Sequence, residues 1–167
     1  MTELFIFFGV TILFCFTIIE LMKHNEPQLL KFKRLSDKCV IPKRAHPTDA
    51  GLDITATSMS FDINTGIVTY GTDLAIKLPK GHVGHLYPRS SVYKTNMVLC
   101  NSVGVVDENY TGEIKFKFHT RDSHNLYKVG DRIGQLVIVK LPNIRSLEVT
   151  ELEVTDRGNK GFGSSGV

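Results

Sequence analysis

Hydrophobic positions divide this chain into an apolar N-terminal run and a body with a period of two. Leu4 to Met22 is almost unbroken in apolar character and is roughly 19 residues long, close to the length that spans a bilayer as a helix. From Leu29 onward, apolar and polar residues alternate, as in strands with one buried face. The pattern predicts an N-terminal segment over residues 1–24 and an all-β domain over residues 29–167.

The body contains several short alternating groups separated by turn residues. The groups are Leu74–Leu78, Ile114–Phe118 and Leu147–Val154, with a denser apolar run at Ile133–Leu141. The turns are predicted at Asn64–Gly66, Pro79–Gly81, Asp122–Asn125 and Val129–Asp131. Many short strands with regular turn punctuation are typical of a β-sandwich, jelly roll or barrel.

Two interpretations of the N-terminal run stay open. It has no basic stretch before it and no small-residue cleavage site after it, which argues against a cleaved signal peptide. As a transmembrane anchor over residues 4–22, followed by Lys23 and further basic residues, it would leave the body in the cytoplasm. Alternatively, Met22 is the natural start and the upstream run is a mis-assigned extension.

Composition excludes several functional classes. The net charge is only +3 and the basic residues are dispersed, so nucleic-acid binding is not indicated. The three cysteines, Cys15, Cys39 and Cys100, have no CxxC spacing, which argues against a zinc site or a disulfide framework and favours a reducing compartment. The six histidines form no cluster with carboxylates or cysteines, so a histidine metal site is not expected.

The segment from Asn101 to Gly112 carries the most chemistry. Asn101 offers a donor and an acceptor, which suits the edge of a nucleobase. Asp107 is a candidate general base, and Tyr110 offers a flat face for a sugar. Gly104 and Gly112 permit close approach. The same residue types are also common in an ordinary hairpin.

Two other segments have residues that suit phosphate groups. Pro88–Ser91 precedes a predicted short helix with a serine N-cap, and Arg89 can bind a phosphate through two nitrogens. A capped helix with a surface arginine is the alternative. The tail Asp156–Val167 is rich in glycine and serine around Phe162, which predicts a flexible arm that orders over a flat, anionic ligand.

Taken together, five segments resemble the trimeric dUTP diphosphatase family, from about Leu30 to the C-terminus. The segments are AHPTDAGLDITA at 45–56, PRSS at 88–91, NSVGVVDENYTGEI at 101–114, GDRIGQLV at 130–137 and RGNKGFGSSG at 157–166. The resemblance implies a jelly-roll β-barrel and a homotrimer. Each of three active sites would lie between subunits under the C-terminal arm of a neighbour. The implied reaction is hydrolysis of dUTP to dUMP and pyrophosphate, with Mg²⁺ on the triphosphate.

The resemblance also implies a role for each matching residue. Asp107 would activate the water that attacks the α-phosphorus and contact the sugar 3′-hydroxyl, while Tyr110 would pack under the deoxyribose and exclude UTP. Residues expected to read uracil and exclude a 5-methyl group are Asn101, Gly104, Val105 and Val106. Residues expected to hold the phosphates are Arg89, Ser90, Ser91, Lys115 and Gln135, with Asp53 ordering waters around the metal and no residue ligating it directly. In the arm, Arg157 and Ser164 would bind the γ-phosphate, Phe162 would stack on the base, and Gly163 is also expected to bind the substrate.

Some positions depart from the family pattern, and two other functions compete with it. Ser91 and Gly134 are expected to be conservative replacements for glycine and alanine, and Lys160 replaces a common glycine of the arm. A related dCTP deaminase would need a glutamate where Lys117 stands and favours phenylalanine where Tyr110 stands. A non-catalytic nucleotide-sensing module would not be expected to keep all five motifs.

Overall fold

The structure is a computed structural model that describes residues 28–120, 124–161 and 164. The predicted N-terminal segment therefore lies outside the described residues. Among the helical residues described, no helix is long and apolar enough to cross a membrane.

Nine strands and one short 3₁₀ helix form within the described ranges. The strands are β1 (Lys31–Arg34), β2 (Leu52–Thr55), β3 (Ser58–Asp62), β4 (Ile67–Lys77), β5 (His82–Pro88), β6 (Met97–Leu99), β7 (Gly104–Val106), β8 (Glu113–Thr120) and β9 (Arg132–Lys140). The 3₁₀ helix, Ser90–Lys94, lies between β5 and β6. The predicted all-β class is thereby confirmed.

The strands form two antiparallel sheets. In the first, the order is β1-β4-β8-β6, and β3 also pairs with β4. In the second, the order is β2-β9-β5-β7. Strands β6 and β7 are close in sequence but belong to different sheets, so the chain crosses from one sheet to the other between them.

The core lies between the sheets and follows the predicted alternation. Ile114, Phe116 and Phe118 of β8 are almost fully buried, while the lysines between them are exposed. Phe118 packs edge-on against Tyr70 and Tyr127, with ring centroids 5.9 and 6.1 Å away. Burial of these aromatic rings contributes several kcal/mol, at roughly 1.5–3 kcal/mol for each large side chain.

The predicted strand at Leu147–Val154 is wrong. Residues 141–155 have no regular secondary structure and are exposed throughout. Leu147 is 83% exposed, Leu152 85% and Val154 100%. The alternation of apolar residues is real, but among the described residues no sheet edge pairs with the segment.

A bulge interrupts β4 where it faces the start of β8. The register between the two strands shifts between Gly71 and Ala75, and Asp73 has a φ of 49°. The Asp73 carboxylate accepts a hydrogen bond from the Ser36 hydroxyl at 2.6 Å. The bulge leaves backbone N–H groups without strand partners, and the side chain of Glu113 accepts hydrogen bonds from them.

Gly134 of β9 lies directly against the ring of Phe116 of β8. A Cβ atom on Gly134 would overlap the Phe116 ring and lie 2.9 Å from the carbonyl oxygen of Tyr87. The expectation that Gly134 is a conservative replacement for alanine is therefore wrong in this chain, because the phenylalanine ring occupies the space that a methyl group would need.

Candidate functional site

A cavity of about 260 Å³ opens where β6, β7 and β8 converge. It is lined by Leu86, Leu99, Cys100, Asn101, Gly104, Lys115, Phe116 and Lys117. A Cβ atom on Gly104 would lie 2.9 Å from the Cβ of Leu86 and 3.4 Å from the Asn101 amide nitrogen. Glycine at 104 therefore keeps the cavity open beside a side-chain amide, and the pocket suits a flat heterocycle with hydrogen-bonding edges.

The backbone around this cavity is a corner between sheets rather than a paired hairpin. Strand β6 pairs with β8, whereas β7 pairs with β5. Ser102 has a φ of 57°, and the backbone N–H groups of Ser102 and Val103 donate to Leu99 and Asn101. The hairpin interpretation of the Asn101–Gly112 segment is thus wrong, because the strands on either side of the corner find their partners in different sheets.

Val105 and Val106 alternate on β7, as a strand requires. Val105 is 63% exposed and Val106 is buried. The backbone of β7 runs past the cavity through Gly104, and Gly104 pairs with Leu86 of β5. Of these three residues only Gly104 lines the cavity, while Val106 anchors the strand in the core.

Asp107 follows β7 directly, and its side chain is exposed to solvent. Its carbonyl oxygen accepts a hydrogen bond from the backbone N–H of Tyr110 at 3.0 Å, which closes a tight turn. The turn brings the exposed carboxylate and the half-exposed Tyr110 ring into one short loop. A carboxylate in such a loop is within reach of solvent and can serve as a general base toward a water molecule.

The Tyr110 ring folds back over its own chain. Its hydroxyl donates to the carbonyl oxygen of Glu113 at 2.9 Å. A Cβ atom on Gly112 would lie 2.6 Å from the Tyr110 hydroxyl oxygen and 2.7 Å from Cζ. Gly112 therefore allows the ring to pack on the backbone, and the ring is held in one orientation.

A second cavity, of about 280 Å³, is polar and lies beside β2 and β9 of the second sheet. It is lined by Ala45, Asp49, Ala50, Gly51, Asp53, Arg89, Ser90 and Gln135. The Asp53 carboxylate binds two guanidinium groups, Arg89 Nε at 3.1 Å and Arg132 Nη1 at 2.7 Å. The Gln135 amide donates to the carbonyl oxygen of Pro88 at 3.4 Å. These contacts orient donor groups toward a space that suits a phosphate chain.

Arg132 was not among the site residues predicted from the sequence. It lies in the GDRIGQLV segment, three residues before Gln135, and that proximity was the available signal. Its contact with Asp53 spans 79 positions in the sequence. Pairing of β2 with β9 brings the two residues together, because Asp53 lies opposite Gln135 in that ladder.

The predicted serine N-cap before the short helix is wrong. The helix is a single 3₁₀ segment, Ser90–Lys94, its N-cap residue is Arg89, and no side chain caps it by a hydrogen bond. Ser90 therefore enters the helix instead of capping it. None of the helix residues is buried, so the segment lies at the surface beside the second cavity.

Lys115 lies apart from the other predicted phosphate ligands. It lines the first cavity, whereas Arg89, Ser90 and Gln135 line the second. Its ammonium group forms an ion pair with Glu113 at 3.0 Å. Ser91 lies in the 3₁₀ helix and lines neither cavity.

The arm residues are described only in part. Arg157 is exposed, its Nε donates to the carbonyl oxygen of Lys160 at 3.2 Å, and Ser164 is also exposed. Phe162 and Gly163 lie outside the described residues. Within the described part of the arm, no predicted ligand lines either cavity.

The site offers few ligands for a divalent metal. In the described ranges, no group of three histidine, cysteine, aspartate or glutamate side chains converges on one point. Asp53 uses each carboxylate oxygen on an arginine, but each oxygen keeps a further lone pair that can accept a water hydrogen. This donor set fits a Mg²⁺ ion that arrives on phosphate oxygens and keeps its waters.

Comparisons with known proteins agree on one family. The family model named dUTPase matches residues 37–166. The chain is similar to the deoxyuridine 5′-triphosphate nucleotidohydrolase of Corynebacterium glutamicum, with 39% identity covering 82% of this chain and 94% of the relative. The enzyme of the same name from Rhodococcus erythropolis is 42% identical, and the match covers 82% of this chain and 85% of that enzyme.

Solved structures give the same result. The Staphylococcus bacteriophage 80alpha dUTPase with dUPNHPP is similar with a TM-score of 0.72 and 31% identity, covering 84% of this chain and 100% of that one. A dUTPase mutant from phage phi11 of S. aureus, described with a structural Mg(II) ion, is similar with a TM-score of 0.65 and 27% identity. The match covers 75% of this chain and 99% of that one.

Proposed function

Since the chain belongs to the dUTPase family, we propose that it hydrolyses dUTP to dUMP and pyrophosphate. Such an enzyme keeps uracil out of DNA and supplies dUMP. The observation that carries the proposal is the small cavity in which Asn101 lies beside Gly104, the first residue of the strand that leads into the loop with Asp107 and Tyr110. Asn101 would then contact the base, Tyr110 the sugar, and Asp107 the water that attacks the α-phosphorus, all from one short segment.

Uracil would bind in the first cavity. The Asn101 amide would offer a donor and an acceptor to its edge, and the backbone of residues 104–106 would add main-chain groups; of these residues, Asn101 and Gly104 line the cavity. The close approach of Gly104 to Leu86 and Asn101 supports a pocket that is too narrow for a 5-methyl group. The enzyme would therefore reject dTTP on steric grounds.

Tyr110 would pack under the deoxyribose. Its ring packs on Gly112 and its hydroxyl donates to the Glu113 carbonyl oxygen, an orientation that would leave no room for a 2′-hydroxyl. UTP would be excluded by this contact.

Asp107 would orient a water molecule and remove its proton as the water attacks the α-phosphorus. Its exposure and its place at the end of β7 support this role. Phosphoryl transfer depends mainly on positioning and neutralised charge, so one carboxylate base is sufficient. Pyrophosphate is the leaving group.

Arg89, Ser90, Ser91 and Gln135 would bind the triphosphate, and Asp53 would keep Arg89 in place while ordering waters. Bound on the triphosphate, Mg²⁺ would neutralise charge on its oxygens. Lys115 would add positive charge from the side of the base cavity.

A complete site would require neighbouring chains. The two cavities lie on different parts of one chain, and the exposed apolar side chains of residues 141–154 have no partner among the described residues. We infer a homotrimer of jelly-roll barrels in which this segment crosses to a neighbour and carries the arm, with Arg157, Phe162, Gly163 and Ser164, over that subunit's site. Contiguous apolar exposure of this kind is typical of an interface.

The catalytic domain would work in the cytoplasm. Cys39 and Cys100 are free thiols, which fits a reducing compartment. Membrane attachment through residues 4–22 stays a prediction. Fractionation of native lysate with an antibody to the catalytic domain decides it, since a soluble species beginning at Met22 would exclude the anchor.

Steady-state hydrolysis measured with dUTP, dCTP, dTTP and UTP tests the proposed function. Only dUTP should be converted efficiently, with equal amounts of dUMP and pyrophosphate formed. Deamination of dCTP with dUTP left intact would assign the chain to the rival deaminase reaction, which the lysine at position 117 disfavours.

A further inference from the structure

Glu113 joins the β4 bulge to the loop that would bind the sugar. Its Oε1 atom accepts hydrogen bonds from the backbone N–H groups of Thr72 at 3.0 Å and Asp73 at 3.1 Å. Thr72 is fully buried, so its N–H group could not turn to water instead. An unpaired buried N–H group costs about 1–3 kcal/mol, so this carboxylate is fixed in place.

The main chain of the same residue holds Tyr110. The carbonyl oxygen of Glu113 accepts a hydrogen bond from the Tyr110 hydroxyl at 2.9 Å. The ring packs on the backbone of Gly112, where a Cβ atom would overlap it. One residue thus supplies both the side chain that is anchored at the bulge and the carbonyl oxygen that accepts the tyrosine hydroxyl.

The second carboxylate oxygen of Glu113 holds Lys115. Oε2 lies 3.0 Å from the ammonium nitrogen, and the Glu113 side chain is only 22% exposed. Lys115 lines the base cavity, so the ion pair sets the position of a cation at that cavity. The carboxylate thus acts on two substrate-facing side chains from behind the site.

We propose that Glu113 is a positioning residue for sugar selection: anchored on the β4 bulge, it holds the Tyr110 ring where a 2′-hydroxyl would otherwise fit. The inference rests on the proposed function. Its consequence concerns discrimination between dUTP and UTP more than turnover, because Glu113 has no described contact with Asp107.

Two variants of Glu113 test this arrangement: Glu113→Ala removes the side-chain anchor, and Glu113→Gln keeps an oxygen at the bulge. The alanine variant loses the anchor and should lower the ratio of kcat/KM for dUTP over UTP by about tenfold or more, since small displacements of a positioning group are costly. Its kcat for dUTP should stay within about threefold, as expected when binding rather than chemistry is affected. The glutamine variant keeps an oxygen for the two N–H groups, so its ratio should stay within about twofold of wild type.

Asp62→Asn is the matched control. Asp62 accepts a hydrogen bond from the backbone N–H of Asn64 at 3.0 Å in the turn between β3 and β4. Asp62 pairs with Ile67 of β4, and Ile67 pairs with His119, at the end of β8 that is far from Glu113. Both the control and the Glu113 variants are compared with wild type by thermal melting. A purely structural role for Glu113 would lower the melting temperature and leave the ratio unchanged.

Tyr110→Phe gives a second, independent test if Glu113→Ala does not fold. It removes only the hydroxyl that the Glu113 carbonyl oxygen accepts, so the ratio should fall as in the alanine variant. If the wild type is active and either variant folds but keeps the wild-type ratio of kcat/KM for dUTP over UTP, the inference is overturned. Wild type that leaves dUTP intact overturns the proposed function itself, which makes the two failures distinguishable.

Discussion

At the scale of single residues, the division of labour between Asp107, Tyr110 and Asn101 is the main result. Asp107→Asn keeps the size and the loop but removes the basic oxygen. We expect kcat to fall by about 10²–10⁴, the range for loss of a general base, while dUPNHPP binding changes little. Calorimetric titration with dUPNHPP and a pyrophosphate-release assay measure the two effects. Full turnover in the variant would remove Asp107 as the base.

Glu113 makes a second residue-scale prediction, on pH. Partial burial acts to raise the pKa of Glu113, but hydrogen bonds from Lys115, Asp73 and Thr72 outweigh it and hold the pKa below its usual value of 4.5. Because the folded pKa is the lower one, the carboxylate stabilises the fold above pH 4.5 and this stabilisation is lost as pH falls through the folded pKa.

Thermal melts across the acid range up to neutral pH check this sign. The stability difference between wild type and Glu113→Gln should be largest near neutral pH and should shrink in acid. A difference that grows in acid would contradict the assigned direction.

At the scale of elements, the contact between β8 and β9 restricts the side chain that position 134 can carry. Gly134→Ala should destabilise the protein by about 1–3 kcal/mol, because its methyl group must displace the Phe116 ring. Phe116→Val makes room and should make the alanine substitution much less costly in the double variant. Chemical denaturation of the four proteins in this cycle measures the coupling. Additive effects would show that the ring can relax without cost.

The strands were predictable from the sequence where burial alone produces the pattern. Ile114 to Phe118 alternates because one face of β8 meets the core, and the same holds over Leu74 to Leu78, except that Ala75 in the bulge is also buried. The pattern at Leu147–Val154 predicted a strand that does not form. Periodicity indicates which side chains are apolar enough to be buried, but it does not indicate which strand or surface buries them.

The site was predictable in its parts but not in its connections. The motif segments gave Asp107, Tyr110, Asn101 and Arg89 because their chemistry is local to short stretches of sequence. The contact of Asp53 with Arg132 and that of Glu113 with the β4 bulge depend on strand register across many residues. No single-sequence pattern encodes that register, so both contacts were missed.

At the scale of the whole molecule, the proposed arm exchange predicts complementation. A variant truncated before Asp156 keeps Asp107 but loses the arm, and the Asp107→Asn variant keeps the arm. Each alone should be at least about 10²-fold less active than wild type, as loss of a base or of substrate closure implies. Mixed and reassembled, they should regain activity, because one chain supplies the carboxylate and another the arm.

Equal mixtures of each variant with wild type serve as the reference for this experiment. Size-exclusion chromatography with light scattering confirms that mixed oligomers form. If mixed oligomers form and stay inactive, the arm closes over its own chain's site.

Conversion of dUTP to dUMP and pyrophosphate is the activity on which the roles of all these residues depend. The most direct measurement incubates the purified full chain with dUTP and Mg²⁺ and resolves the products by ion-exchange chromatography, with dCTP, dTTP and UTP in parallel. We expect dUMP and pyrophosphate in equal amounts from dUTP and little conversion of the other three nucleotides. Intact dUTP, or release of inorganic phosphate instead of pyrophosphate, would contradict this expectation.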